Sequence, residues 1–189
     1  AVENLILVAR LINPKIEIGA DGTTAAAILA AGETELKTTA PVVYLGSEGW
    51  VARISSQWPV GSGDTFNPFG AGAAACFGAA NIFRLLFGTY LPEGKVDTAF
   101  SLSLLDYEPQ SAEPYNPPLK PIDLGESYLV GLGAIGNGAL WALAKMPELS
   151  GVLHLIDPET IELSNLQRYI LATQREVDSP KVLLAAKQF

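Results

Sequence analysis

The apolar positions fall into blocks whose spacing predicts the elements. Leu5–Ile12 is an apolar run broken by Arg10 alone, too short for its period to separate strand from helix. Thr24–Ala31 is rich in alanine and predicts a helix. Val42–Leu45 and Trp50–Ser55, joined through Gly46-Ser47-Glu48-Gly49, predict a β-hairpin. Asn67-Pro68 has the form of an N-cap followed by proline at the first helical position. The helix it opens is predicted to reach Phe87, with Gly88 as a left-handed stop. Phe100–Leu105 predicts another strand. The apolar stretch from Phe69 to Phe87 carries Asn81 and Arg84 among many alanines and glycines, so it reads as a buried helix and not a membrane span.

Pro109–Pro121 holds five prolines in thirteen residues. Proline fixes φ and removes a donor, so helices and inner strands stop there. The segment predicts an extended linker or strap. It divides an α/β part, residues 1–108, from a shorter part, residues 122–189.

The second part alternates cleanly. Ser127–Val130 predicts a strand, Gly131–Gly136 a glycine turn, Asn137 to Lys145 a helix, and Gly151–Ile156 a second strand ending at Asp157. A last helix is expected from Ser179-Pro180 onward. Strand, glycine turn, helix and strand form a βαβ unit. In Gly131-x-Gly133-x-x-Gly136 the first glycine suits a tight turn, the second a close approach to phosphate, and the third close helix–strand packing. The N–H groups that open the helix favour an anion. Asp157 stands where a carboxylate accepts hydrogen bonds from ribose hydroxyls. These residues predict a nucleotide site, and they fit ATP and NAD equally.

Composition narrows the classes. The 189 residues carry a net charge of -8, are 49% hydrophobic and are 17% charged, below the ~25% usual in soluble domains. Disorder is excluded, and an acidic chain does not suit nucleic acid as an electrostatic partner. The single cysteine, Cys76, allows no internal disulfide and suits a reducing, cytoplasmic location. Inside Ala73-Ala74-Ala75-Cys76-Phe77 it is expected to be a small buried hydrophobe. His154 is the only histidine and lies in a strand, where a packed or edge role is expected; no metal site is predicted. Trp50 and Trp58 are expected in the core. Arg168, Arg175, Lys181 and Lys187 gather four of the 12 cations near the C-terminal end.

The run Asp157-Pro158-Glu159-Thr160-Ile161-Glu162-Leu163-Ser164-Asn165-Leu166-Gln167-Arg168, followed by Pro180-Lys181, closely resembles the ThiF/MoeB and ubiquitin-activating-enzyme superfamily. That pattern reads D-x-D-x-(I/V)-x-x-S-N-L-x-R-Q with a later lysine, and the likeness covers about Ser127 to Lys187. It implies a Rossmann-like unit behind an accessory α/β module, and ATP with Mg2+ as cofactors. The implied reaction is adenylation of the C-terminal carboxylate of a ubiquitin-like or sulfur-carrier protein ending in Gly-Gly, by a homodimer. Arg168 and Lys181 would meet the phosphates, Asn165 would be a neutral donor, Asp157 would hold the ribose, and Gly131, Gly133, Ala134 and Gly136 would form the cradle. The chain departs from the pattern at Glu159 (Asp), Tyr169 (Gln) and Asp178 (Gly), which raises a second reading, an interaction module without turnover. An NAD-dependent oxidoreductase is the remaining alternative, disfavoured by Ser-Asn-Leu-Gln-Arg.

The superfamily's magnesium-binding Asp and its thioester-forming Cys both lie past the matched segment, so a longer chain is expected. The arginine of its opening helix has no clear counterpart; Arg10 and Arg53 are candidates. Two strands do not make a stable sheet. The N-terminal strands, a downstream region or another subunit are expected to complete it.

Overall fold

A computed structural model describes residues 2–19, 25–63, 66–109 and 111–189. In chain order the elements are α1 (Val2–Ile12), β1 (Ile28–Ala31), β2 (Val42–Glu48), β3 (Val51–Ser55), α2 (Pro68–Phe87), β4 (Ala99–Ser103), β5 (Ile122–Val130), α3 (Ala134–Ala144), β6 (Leu149–Ile156) and α4 (Lys181–Ala186). The fold is mixed α/β. It divides into two compact units, one of Asp21–Lys120 and one of Ala1–Ala20 with Pro121–Phe189. The Leu5–Ile12 run is therefore helical and groups with the C-terminal unit, not with residues 21–108.

Asp21–Lys120 is built on a four-stranded sheet ordered β1-β2-β3-β4. β2 and β3 form the expected hairpin, antiparallel from Tyr44 opposite Ser55 to Glu48 opposite Val51. β1 lies parallel to β2, with Ile28 opposite Val42. The Ala-rich stretch is thus a strand over Ile28–Ala31 and not a helix, and Thr24 lies outside the described residues. Pairing with β2 outweighs the small helical preference of alanine.

α2 covers this sheet, its Phe77, Ile82 and Leu85 packing together with Phe100 of β4 on buried Val43, Leu45 and Ile54. Asn67 caps it, accepting from Phe69 N–H at 3.0 Å. Its small residues have a packing reason. A Cβ on Gly70 would stand 2.5 Å from the Gly49 carbonyl, and one on Gly78 would stand 2.5 Å from Leu45 Cδ1. The helix presses its Gly70, Ala74, Gly78 and Asn81 stripe onto the strands. Asn81, 1% exposed, donates to Phe77 O and to Asp97 Oδ2 and accepts from Asp97 N–H, while Arg84 pairs with the same carboxylate at 2.8 Å.

Pro68–Tyr90 is long and apolar enough to cross a membrane by length and composition, yet it lies on the sheet along one stripe and is not buried all round. Phe83, Leu86 and Phe87 face outward, and Cys76 is exposed, not in the core. Gly88 is right-handed (φ -56) and leads into a 3-10 turn. It lies against Gly94: a Cβ on Gly94 would fall 2.5 Å from Gly88 O, and one on Gly88 would fall 3.3 Å from Gly94 O. Trp50 stacks on Phe69 at 4.9 Å, whereas Trp58 is 52% exposed and outside the core.

The proline-rich segment is no free linker. Asn116 Oδ1 accepts from Trp50 N–H at the hairpin turn, and Tyr115 O accepts from Ser103 Oγ. Residues 111–120 thus lie as a strap on their own unit.

In the other unit β5 and β6 pair in parallel, from Ile122 opposite Leu149 to Val130 opposite Ile156. Both strands run longer than their apolar cores suggest. Leu129, Leu153 and Leu155 pack against buried Leu132, Leu140 and Ala185, which joins the strands to α3 and α4. The opposite face carries Tyr128, Val130, Val152 and Ile156 exposed; His154 stacks on Tyr128 there at 4.5 Å, its Nε2 3.2 Å from Glu126. The N-terminal strands form their own sheet and do not extend this pair.

Candidate functional site

β5 ends in a turn that sets the site. Gly131 has φ +86, the left-handed region that favours glycine. Its N–H donates to Ile156 O at 2.8 Å, which ties the turn to β6. Gly136 sits so close beneath that a Cβ would lie 2.0 Å from Gly131 O. α3 therefore starts at Ala134, three residues earlier than Asn137. Its N-cap, Gly133, has no side-chain cap, so the first N–H groups point outward with the positive end of the helix dipole. Asn137 is buried and accepts from Leu171 N–H at 3.1 Å, fastening the following loop to the helix.

Asp157 works on the backbone. Its Oδ2 accepts from Leu132 N–H at 2.6 Å and its Oδ1 from Glu159 N–H at 2.8 Å. One carboxylate thus pins the glycine turn to the segment after β6. Both oxygens keep lone pairs for a ribose, but Asp157 is not in the wall of the cavity described below.

Past Asp157 the chain doubles back. Thr160 and Pro180 form an antiparallel bridge, Ile161 N–H donates to Ser179 O, and Lys181 N–H donates to Glu159 O at 3.0 Å. Asp178 makes this return possible with φ +68, which explains why the resembled pattern has glycine there. Aspartate tolerates the left-handed region better than most residues, though still at a cost. Asp178→Gly is expected to raise stability by up to about 1 kcal/mol, read from the urea midpoint; a lower midpoint would show that the aspartate is preferred.

The return brings together residues far apart in sequence. A polar cavity of about 300 Å³ is walled by Gly133, Ala134, Glu159, Thr160, Glu162, Ser164, Asn165, Arg168, Tyr169 and Lys181. Five of the sequence-predicted residues meet there: Gly133, Ala134, Asn165, Arg168 and Lys181. Gly131, Gly136 and Asp157 stand behind, holding the turn. Arg175 and Lys187 are not in the wall, and neither is Asp178. Larger clefts occur in Asp21–Lys120, one of about 710 Å³ beside Arg84, Lys95 and Asp97, and the glycine turn is not in its wall.

Each donor has a distinct setting. Asn165 is buried and its Oδ1 accepts from Glu162 N–H at 3.0 Å, which turns its amide NH2 toward use as a donor. Arg168 is exposed, one guanidinium nitrogen bonded to Ser164 O at 3.1 Å, with its other N–H groups available. Lys181 is 6% exposed and bonded to Glu159, its Nζ 5.6 Å from the centre of the Tyr169 ring. Burial opposes the ammonium, but the Glu159 bond, the Tyr169 hydroxyl and the Asp157 charge outweigh it and raise the Lys181 pKa well above the ordinary lysine value. Lys181 is therefore a permanent cation at neutral pH.

The donors fit a phosphate: an uncapped helix N-terminus, two cations and an amide. The sequence pattern passed over Glu159 and Tyr169 as mere departures and left Thr160, Glu162 and Ser164 unassigned, although all lie within or beside the matched run. No three acidic, histidine or cysteine side chains converge among the described residues. The Mg2+ that the resemblance implies has no ligand set among the described residues.

Residues 120–189 match the ThiF family, and residues 1–88 match Prokaryotic E2 family C. A Sinorhizobium fredii protein described as "Uncharacterized protein y4jF" is 50% identical over 177 residues, 94% of this chain and 34% of that protein. The "Ubiquitin-activating enzyme E1-like" protein of Saccharomyces cerevisiae is 41% identical over 68 residues, 36% of this chain and 10% of the yeast protein. The chain thus spans about a third of the length of the first relative and a tenth of the second. Its C-terminal segment is of ThiF type, with the Rossmann-like fold that this implies, and its N-terminal segment carries an E2-family likeness of its own.

Proposed function

We propose that this ThiF-type chain takes part in ATP-dependent adenylation of the C-terminal carboxylate of a ubiquitin-like or sulfur-carrier protein. The observation that carries the reading is the convergence of the open α3 N-terminus, Asn165, Arg168 and Lys181 on one polar cavity. A carrier carboxylate oxygen attacks the α-phosphorus of ATP. The bond from that phosphorus to the bridging oxygen of the β-phosphate breaks, and pyrophosphate leaves with the electron pair. Nucleophile and electrophile are both anionic, so fixed positive charge lowers the barrier as charge builds on the phosphoryl oxygens. Lys181 supplies buried charge, Arg168 adaptable charge at the rim, and the α3 N–H groups and Asn165 neutral donors. Asp157 keeps the glycine turn against β6 and offers its free lone pairs to a ribose.

The reading includes a homodimer and an Mg2+ ion brought with the nucleotide. The E2-family likeness of residues 1–88 supports handling of the activated carrier on the same polypeptide. Tyr169 and Asp178 are the departures that favour an interaction module without turnover. Asp178 lies outside the cavity wall and Tyr169 sits beside Lys181, so neither removes a donor.

Carboxylate-dependent ATP–pyrophosphate exchange with a carrier ending in Gly-Gly tests the proposal. Arg168→Ala is expected to lower exchange at least ~10-fold with an unchanged melting curve. Wild-type protein that neither exchanges label nor binds ATP would overturn it.

A further inference from the structure

We propose that Tyr169 is a positioning residue for Lys181: its ring face, together with the Glu159 carboxylate, fixes the ammonium in the wall of the polar cavity. The functional consequence rests on the adenylation reading; the positioning itself does not.

A lysine at a helix start ordinarily swings its head into water. Lys181, the first residue of α4, does the opposite and is almost wholly buried. Its backbone is fixed by the N–H bond to Glu159 O. The head is bonded to a Glu159 carboxylate that is itself mostly exposed. One mobile surface carboxylate does not by itself select a single position for a flexible four-carbon chain. The second contact comes from Tyr169, 4% exposed and immobilised among Ile161, Leu166, Ala172 and Leu184. Its ring centre lies 5.6 Å from Nζ, inside the range over which a cation is drawn to an aromatic face. A rigid wall and a carboxylate tether together hold the charge where both border the cavity. The resembled pattern has glutamine at this position, which offers no ring face, so this support belongs to this chain.

The test is amine labelling of the full chain with acetic anhydride, reading Lys181 modification by mass spectrometry, beside the kinetics of ATP–pyrophosphate exchange. Tyr169→Phe keeps the ring and removes only the hydroxyl, and is expected to leave Lys181 far better protected than Tyr169→Leu does. Tyr169→Leu keeps an apolar filling and removes the ring, and is expected to raise the Lys181 labelling rate about tenfold. Lys187 is the internal reference, and thermal melts identify the folded variants. With exchange active, Tyr169→Leu is expected to raise KM for ATP several-fold more than it lowers kcat, and Tyr169→Phe to restore both. Equal protection in the Leu and Phe variants would overturn the proposal, because apolar packing alone would then account for the buried lysine. If Tyr169→Leu fails to fold, Tyr169→Gln takes its place under the same criterion. A labelling difference in a protein that shows no exchange would uphold the positioning of Lys181 while removing the adenylation reading.

Discussion

Lys181→Met is expected to lower carboxylate-dependent ATP–pyrophosphate exchange by about 10²- to 10³-fold, the loss that follows removal of one fixed transition-state donor. The methionine keeps most of the buried apolar stem of Lys181, so folding is expected to survive. Glu159 is left without its cation, but its carboxylate is mostly exposed and water can solvate it. The effect is therefore chemical and not structural. It should exceed that of Arg168→Ala, since a buried charge is weakened far less by solvent than the exposed guanidinium. Exchange rates for the two variants, with circular dichroism melts, check the ranking. A Lys181→Met chain within threefold of wild type would mean that the ammonium does not meet the phosphates.

Gly136→Ala is expected to destabilise the C-terminal unit by about 3 kcal/mol or more. The added methyl would stand 2.0 Å from Gly131 O, and a carbonyl in a turn cannot swing aside as a flexible side chain can. Relief requires α3 to move off the turn or the turn itself to shift, and a shifted turn would break the Gly131 N–H bond to Ile156 O and the Asp157 bond to Leu132 N–H. Overpacking against backbone belongs to the most damaging class of single changes. Urea unfolding monitored by far-UV circular dichroism measures it. A cost below 1 kcal/mol would show that helix and turn are not in close contact.

Much of this was legible along the chain. The Asn67-Pro68 start, the β2–β3 hairpin and the strand–glycine–helix–strand order each depend on neighbouring residues, where capping, turn chemistry and φ preference act locally. The readings that differed depended on distant ones. Ile28–Ala31 became a strand because Val42–Leu45 lies beside it. Gly88 is a contact point for Gly94 and not a left-handed stop. Cys76 points away from the sheet because the Gly70, Ala74, Gly78 and Asn81 stripe takes the inward face. Between the two readings of the proline-rich segment, linker or strap, the bonds of Asn116 to the hairpin and Tyr115 to β4 decide for a strap over residues 111–120.

For the site, the sequence by itself determined the chemistry on offer. Three glycines at fixed spacing, a carboxylate after the second strand, and an Asn-Leu-Gln-Arg run with a later lysine gave the family likeness and the donor types. Tertiary structure decided which of them converge. Asp178, in a left-handed conformation, and the Thr160–Pro180 bridge carry Lys181 back to Glu159 and Tyr169, 22 residues away along the chain for the ion pair. Asp157 was drawn into holding the turn, and Tyr169, a departure from the pattern along the chain, became the wall beside the buried cation. The physical reason is range. Propensity and motif spacing act over a few residues, whereas the position and exposure of a charge are fixed by whatever the fold packs against it.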